Sequence, residues 1–144
     1  MSATTPVVSV KLVRDRSTPY GKQLRTQERV AEFWSALHRK GEPAGEELWV
    51  VCLDTKLQPL CTSMVARGTT DRAFARPADF LRIALMCNAT AIVVIHNHPS
   101  GDPLPSDSDC ELTGVMAEAA AMLGIELLDH IVIGDGSWKS ASAQ

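Results

Sequence analysis

At 144 residues, with 45% hydrophobic and 22% charged side chains, the chain fits one ordinary domain that can bury a core, which excludes collagen-like, disordered and multi-domain readings. No apolar run approaches the roughly 20 residues of a spanning helix. The opening MSATTPVVSVKLVRD lacks the basic start and apolar block of a secretory signal, so a soluble, cytoplasmic protein is expected.

The formal net charge of −3 hides an asymmetry: eight Lys/Arg stand against three acids up to residue 40, and six against fourteen beyond it. Such a basic start suits a nucleic-acid arm. Here, however, the basic residues interleave with a helical apolar pattern and have little aromatic company apart from Tyr20, Phe33 and Trp34, which fits a solvated helix face better.

In chain order, Val7 to Val13 alternates apolar and polar residues and predicts a strand with one buried face, broken at Pro19-Tyr20-Gly21. Val30, Phe33, Trp34 and Leu37 form one stripe of a helix starting near Thr26 and stopping before Gly41. His38 falls at its C-terminal end, where a solvated or dipole-compensating role is expected. Residues 47–53, ELWVVCL, predict a strand, and 57–66 a weaker one in a hairpin with it. Pro77 suits a first helical turn, and Phe80, Leu81, Ala84 and Leu85 carry that helix to about Asn88. The β-branched run 91–95 reads as a strand covered on both faces. A further helix runs through Leu112, Val115, Met116, Ala119, Met122 and Leu123 to Gly124, in the place a C-cap favours. Residues 125–133 predict a strand, followed by a Gly134-Asp135-Gly136 turn and a short polar tail. This order implies a layered α/β/α sandwich around one mixed sheet. Cys52, Cys61, Cys87 and Cys110 contain no CxxC pair; free thiols acting as small hydrophobes are expected, most clearly at Cys52 and Cys87.

The stretch His96-Asn97-His98-Pro99-Ser100-Gly101-Asp102-Pro103-Leu104-Pro105-Ser106-Asp107-Ser108-Asp109 begins where the buried strand 91–95 ends, the usual place for a ligand in an α/β sheet. Two histidines one residue apart on extended chain point to the same side, so His96 and His98 can chelate one ion. Three prolines and Gly101 stiffen the following loop, and a helix beginning near Ser106 or Asp107 brings Asp109 back toward them. Two imidazoles and one carboxylate leave a fourth tetrahedral position for water, as in catalytic zinc sites. A carboxylate must then shuttle the proton, and Glu46 or Glu47, facing opposite ways at the entrance of strand 47–53, can do so. Ser106 either donates to an oxyanion or caps the helix with Asp107.

His-x-His, seven residues, Ser, two residues, Asp matches His96, His98, Ser106 and Asp109 and resembles the JAMM motif of the MPN/JAB metalloprotease superfamily. With ARPADFLRIALMCNATAIVVI before it and LGIELLDHIVIGDGSWKS after it, the stretch is similar to the bacterial RadC family from about Val7 to Ser140. The resemblance implies a JAB-type fold related in layout to cytidine deaminases. It also implies zinc held by His96, His98 and Asp109, Ser106 as oxyanion helper, and a catalytic glutamate at Glu46, with Glu47 the alternative. Asp129-His130 also matches the family, without an assigned role; for His130 a satisfied histidine beside the core is preferred to a fourth ligand. RadC proteins commonly carry a helix-hairpin-helix region ahead of this domain, and 45 residues before Glu46 are too few for it, so a single domain over 1–144 is expected.

The expected activity is a zinc-dependent metallopeptidase or isopeptidase acting on a peptide or protein substrate. The alternative is a DNA-repair-associated accessory or binding module with little or no hydrolysis. The acidic balance beyond residue 40 and the lack of a basic cluster with interleaved aromatics speak against it. A copy-to-copy contact through an exposed strand 7–13 is conceivable on edge-pairing grounds.

Overall fold

A computed structural model of the chain describes residues 2–68 and 75–142. Its elements are α1 (Gln27–Leu37), β1 (Glu47–Leu53), β2 (Pro59–Arg67), α2 (Pro77–Met86), β3 (Ala91–Asn97), α3 (Asp107–Met122), β4 (Glu126–Ile133) and β5 (Trp138–Ser140). The five strands make one mixed sheet in the order β2-β1-β3-β4-β5. β1 pairs antiparallel with β2 and with β3, β3 pairs parallel with β4, and β5 returns antiparallel along β4.

The central strands β1 and β3 are buried along their whole length, as runs of β-branched and large apolar residues require when both faces are covered. Alternation sorts their side chains. Trp49, Val51, Leu53, Val93 and Ile95 face one core with Val30, Phe33, Trp34 and Leu37 of α1. Leu48, Val50, Cys52, Ile92 and Val94 face the other with Phe80, Leu81 and Ala84 of α2 and Met116 and Ala120 of α3. Helix α1 thus covers one face of the sheet and α2 and α3 the other, which is the layered sandwich expected. Thr26 caps α1 by accepting from Arg29 N–H at 3.2 Å, and Gly124, at φ 75°, follows the α3 C-cap Leu123.

Three expectations are corrected. Residues 7–13 belong to no strand, and Val7, Val8, Val10 and Val13 are exposed: alternation supplies a face, but a strand also needs a neighbour to pair with, and the described sheet offers this segment none. The polar tail contains β5, whose three residues are too few to carry a periodic signal and are defined by their register against Ile131–Ile133. Of the two roles expected for His38, solvation is corrected, while its place at the C-terminal end of α1 holds: it is the C-cap, with Nδ1 3.2 Å from the Trp34 carbonyl. Its ring packs on Trp34 with centroids 3.9 Å apart, and its Nε2–H donates to Glu47 at 2.9 Å.

Candidate metal centre

The register of β1 against β3 builds the site. Leu48 lies opposite His96, so the residues entering β1 meet the carboxyl end of β3. Parity then separates the two glutamates. Glu46 shares the face of Leu48 and Val50, under α3, while Glu47 shares the face of Trp49 and Val51, under α1. Glu46 Oε1 lies 3.7 Å from His96 Nε2. Glu47 accepts instead from His38 and from the Trp49 indole at 3.0 Å, with the Arg67 guanidinium 3.6 Å away. Burial pushes the Glu47 carboxyl up; the hydrogen bonds from His38 and Trp49 and the neighbouring positive charge outweigh this and hold it below its ordinary value.

That depression has a pH consequence. A folded value below the ordinary 4.5 means Glu47 stabilises the fold fully above that value and loses the contribution as pH falls through the folded value. Glu47→Gln is therefore expected to be less stable than the parent at neutral pH, with the difference shrinking in acid. Urea unfolding at neutral pH and near about pH 3 measures it; a difference that grows in acid overturns the assignment.

From β3, His96 is fully buried and His98 follows just beyond the strand end. The loop after His98 is tied to the β4–β5 turn: His98 N–H donates to Ile133 O, and Asp135 N–H to Gly101 O, both at 2.8 Å. Gly101 sits at φ 89°, and a Cβ on Gly134 would fall 2.4 Å from the Gly101 carbonyl, so this close backbone approach needs glycine. The loop delivers the N-terminus of α3. There Ser106 and Asp109 form a reciprocal cap, Ser106 Oγ accepting from Asp109 N–H at 3.1 Å and Asp109 Oδ2 from Ser106 N–H at 2.8 Å. The capping role of Ser106 is thus realised, and it fixes the Asp109 carboxylate against the histidines.

The donor atoms converge. His96 Nε2 and His98 Nε2 are 3.1 Å apart, Asp109 Oδ1 is 3.3 Å from the first and Asp109 Oδ2 3.2 Å from the second. Bonds of about 2.05 Å to a tetrahedral zinc place neighbouring donors about 3.3 Å apart. Single ligand atoms of Glu46, His96 and His98 lie within 4.8 Å of one another, whereas Asp109 reaches the two nitrogens with one oxygen each. Asp109 is the closer carboxylate and Glu46 the more distant one.

The hydrogen-bond network assigns the tautomers. The Asp102 carbonyl, 2.8 Å from His98 Nδ1, only accepts, so Nδ1 carries the proton and Nε2 offers its lone pair. For His96 the same result comes through a relay. The Thr113 hydroxyl gives its proton to the Asp109 carbonyl at 2.7 Å and so accepts from His130 Nδ1–H at 2.8 Å. His130 Nε2 then accepts from His96 Nδ1–H at 2.7 Å, leaving His96 Nε2 as a lone pair. Two imidazole nitrogens and two carboxyl groups gathered in a buried place are the kind of donor set a dication takes. The residues present therefore fit zinc.

His130 is the functional side chain whose role the sequence left open. It is 1% exposed and lies behind His96, not beside it as a ligand. Its signal was the polar pair Asp129-His130 inside an otherwise apolar strand. Asp129 faces away and accepts from Ser140 Oγ, holding β5 on β4.

The family model described as RadC-like JAB domain matches residues 24–144. Among curated proteins, the chain is 43% identical over 84 residues to a UPF0758 protein of Thermotoga maritima, covering 58% of this chain and 38% of that one. It is 41% identical over 99 residues to a UPF0758 protein of Methanosarcina barkeri, covering 69% and 43%. A UPF0758 protein of Carboxydothermus hydrogenoformans is 39% identical over 107 residues, covering 74% and 47%. The chain spans less than half the length of these relatives. No helix among the described residues is long and apolar enough to cross a membrane.

Proposed function

Because the chain belongs to the RadC family of JAB domains, we propose that it is a zinc-dependent hydrolase of JAMM type that cleaves an amide bond, peptide or isopeptide, with water. The observation that carries this reading is the approach of His96 Nε2 and His98 Nε2 at 3.1 Å, with the two Asp109 oxygens 3.3 and 3.2 Å from them and Glu46 3.7 Å from His96 Nε2.

His96, His98 and Asp109 would hold the ion. Bound zinc would supply Lewis acidity, which lowers the pKa of water to about 7 and polarises a carbonyl. Glu46, 5% exposed at the rim of these donors, would take a proton from the attacking water and pass it to the leaving amine nitrogen. Ser106 spends an oxygen lone pair on its cap, not its proton. With Ser108 Oγ as donor in their 3.0 Å contact, the Ser106 hydroxyl hydrogen is available to a developing oxyanion. The substrate would be a peptide or protein presenting its scissile amide at the ends of β1 and β3.

The test is metal analysis of the purified chain, followed by incubation of the zinc-loaded protein with peptide and isopeptide libraries read by mass spectrometry. Zinc near one per chain and cleavage that chelation abolishes support the reading; a metal-free chain that stays empty in excess zinc overturns it.

The relay behind His96 gives a separate expectation. Thr113→Val keeps the shape but removes the oxygen that fixes His130, so zinc affinity is expected to fall about 10–100-fold, the usual effect of losing a group that orients a ligand. Competition with a chromophoric chelator measures it, and an unchanged affinity removes the relay from the site.

A further inference from the structure

At the far end of β1 a second group of side chains converges. Cys52 of β1 and Cys61 of β2 are register partners, and Cys87 is the C-cap of α2, which packs on the same face of the sheet. The three sulfurs lie within 4.8 Å of one another, and all three thiols are free. Cys52 is six residues along the strand direction from Glu46, roughly 20 Å at about 3.3 Å per residue, so the group is separate from the histidine centre.

We propose that Cys52, Cys61 and Cys87 form a second metal site, taking one thiophilic divalent cation of the zinc and cadmium type on three sulfurs. Donor chemistry selects the ion: polarizable sulfur favours soft and borderline cations and disfavours magnesium or calcium. Geometry permits it. Tetrahedral metal–sulfur bonds of about 2.3 Å put neighbouring sulfurs about 3.8 Å apart, so a triangle of at most 4.8 Å closes with an inward shift of about 0.6 Å per sulfur. Cys52 is fully buried while Cys61 and Cys87 are partly exposed, which leaves a route for the ion and a solvent-facing fourth position.

The three thiols titrate as a group: hydrogen bonding to Cys61 and burial push Cys52 up, and burial pushes Cys87 up, so these two protons leave only as the cation binds. Hydrogen bonding from Cys52, opposed by burial and aided by Cys87, pulls the Cys61 thiol down to about 6, so the group supplies a thiolate near neutral pH. Binding the dication releases the remaining thiol protons to solvent and leaves three thiolates around two positive charges. A Cys52–Cys61 disulfide would use two of the sulfurs and leave the convergence of the third without purpose; a cation engages all three. It would tie β1, β2 and α2 together and stabilise the fold by binding only the native state.

Cadmium is the probe, because the thiolate-to-cadmium charge-transfer band in the near ultraviolet reports sulfur ligands and is silent for imidazole and carboxylate. In the reduced, full chain the band is expected to reach the amplitude of one sulfur-bound cadmium per chain, cadmium at the histidine centre being silent. Cys61→Ser and Cys87→Ser are each expected to lower the plateau by about a third or more and weaken binding at least about tenfold. Cys110→Ser and His98→Ala should leave the band unchanged. Absence of the band at stoichiometric cadmium overturns the proposal, as does a band that survives Cys87→Ser at full size. Cys87 is partly exposed at a helix end, so that variant folds on the same terms as the parent and keeps the test decisive.

Discussion

In a Cys87→Ser background, which disables the sulfur site, replacing His96, His98 or Asp109 with alanine is expected to reduce bound zinc from about one per chain to well below that, measured by elemental analysis after gel filtration. His96 Nε2 and His98 Nε2 stand 3.1 Å apart, with Asp109 Oδ1 3.3 Å from the first and Asp109 Oδ2 3.2 Å from the second, so each alanine removes one donor of a three-residue set. Asp109 needs a control of its own, because the carboxylate also closes the α3 cap. Asp109→Ala therefore adds a cap loss of about 1 kcal/mol to the loss of a ligand. Asp109→Asn retains an oxygen for the Ser106 N–H and should keep the helix while losing the metal. Full zinc content in all three alanine variants would reject the centre.

Glu46→Gln is expected to leave the zinc in place and lower hydrolysis by about 10²–10⁴-fold, the usual worth of a positioned proton shuttle. The amide has the carboxylate's shape but cannot accept the proton. Glu47→Gln should retain hydrolysis, since Glu47 is engaged with His38 and Trp49 on the opposite face. Library cleavage assays on both variants, with metal content measured in parallel, separate the two. The reverse result, with Glu47→Gln inactive and Glu46→Gln active, would place the acid–base group on the α1 side.

Wherever one face of an element is apolar, the sequence was informative. The stripe Val30, Phe33, Trp34, Leu37 located α1, and the uncharged run Ala91–Ile95 located the buried centre of the sheet, because periodicity is a local property of the chain. The bend from His96 to Asp109 was legible for a related reason: its prolines, Gly101 and the Ser106–Asp109 spacing encode loop and cap within a few residues. What stayed hidden depends on partners distant in sequence. Nothing near Val7–Val13 says whether a neighbouring strand exists, and nothing near His38 says that Glu47 will face it. The choice between Glu46 and Glu47 needed the register of β1 on β3. The relay from Thr113 to His130 to His96 spans three elements, and the meeting of Cys87 with the Cys52–Cys61 pair needs α2 docked on the sheet.

The pairing of β1 with β3 has one further result. It joins distant segments, from Leu53 opposite Ala91 to Leu48 opposite His96, and Asn97 extends it by accepting from Glu47 N–H and donating to Gly45 O. Glu46 leaves the ribosome well before His96 and His98, and a half-made polypeptide holds only one part of the site. The side chains of the site are therefore gathered only once synthesis has passed Asp109 and the sheet has closed.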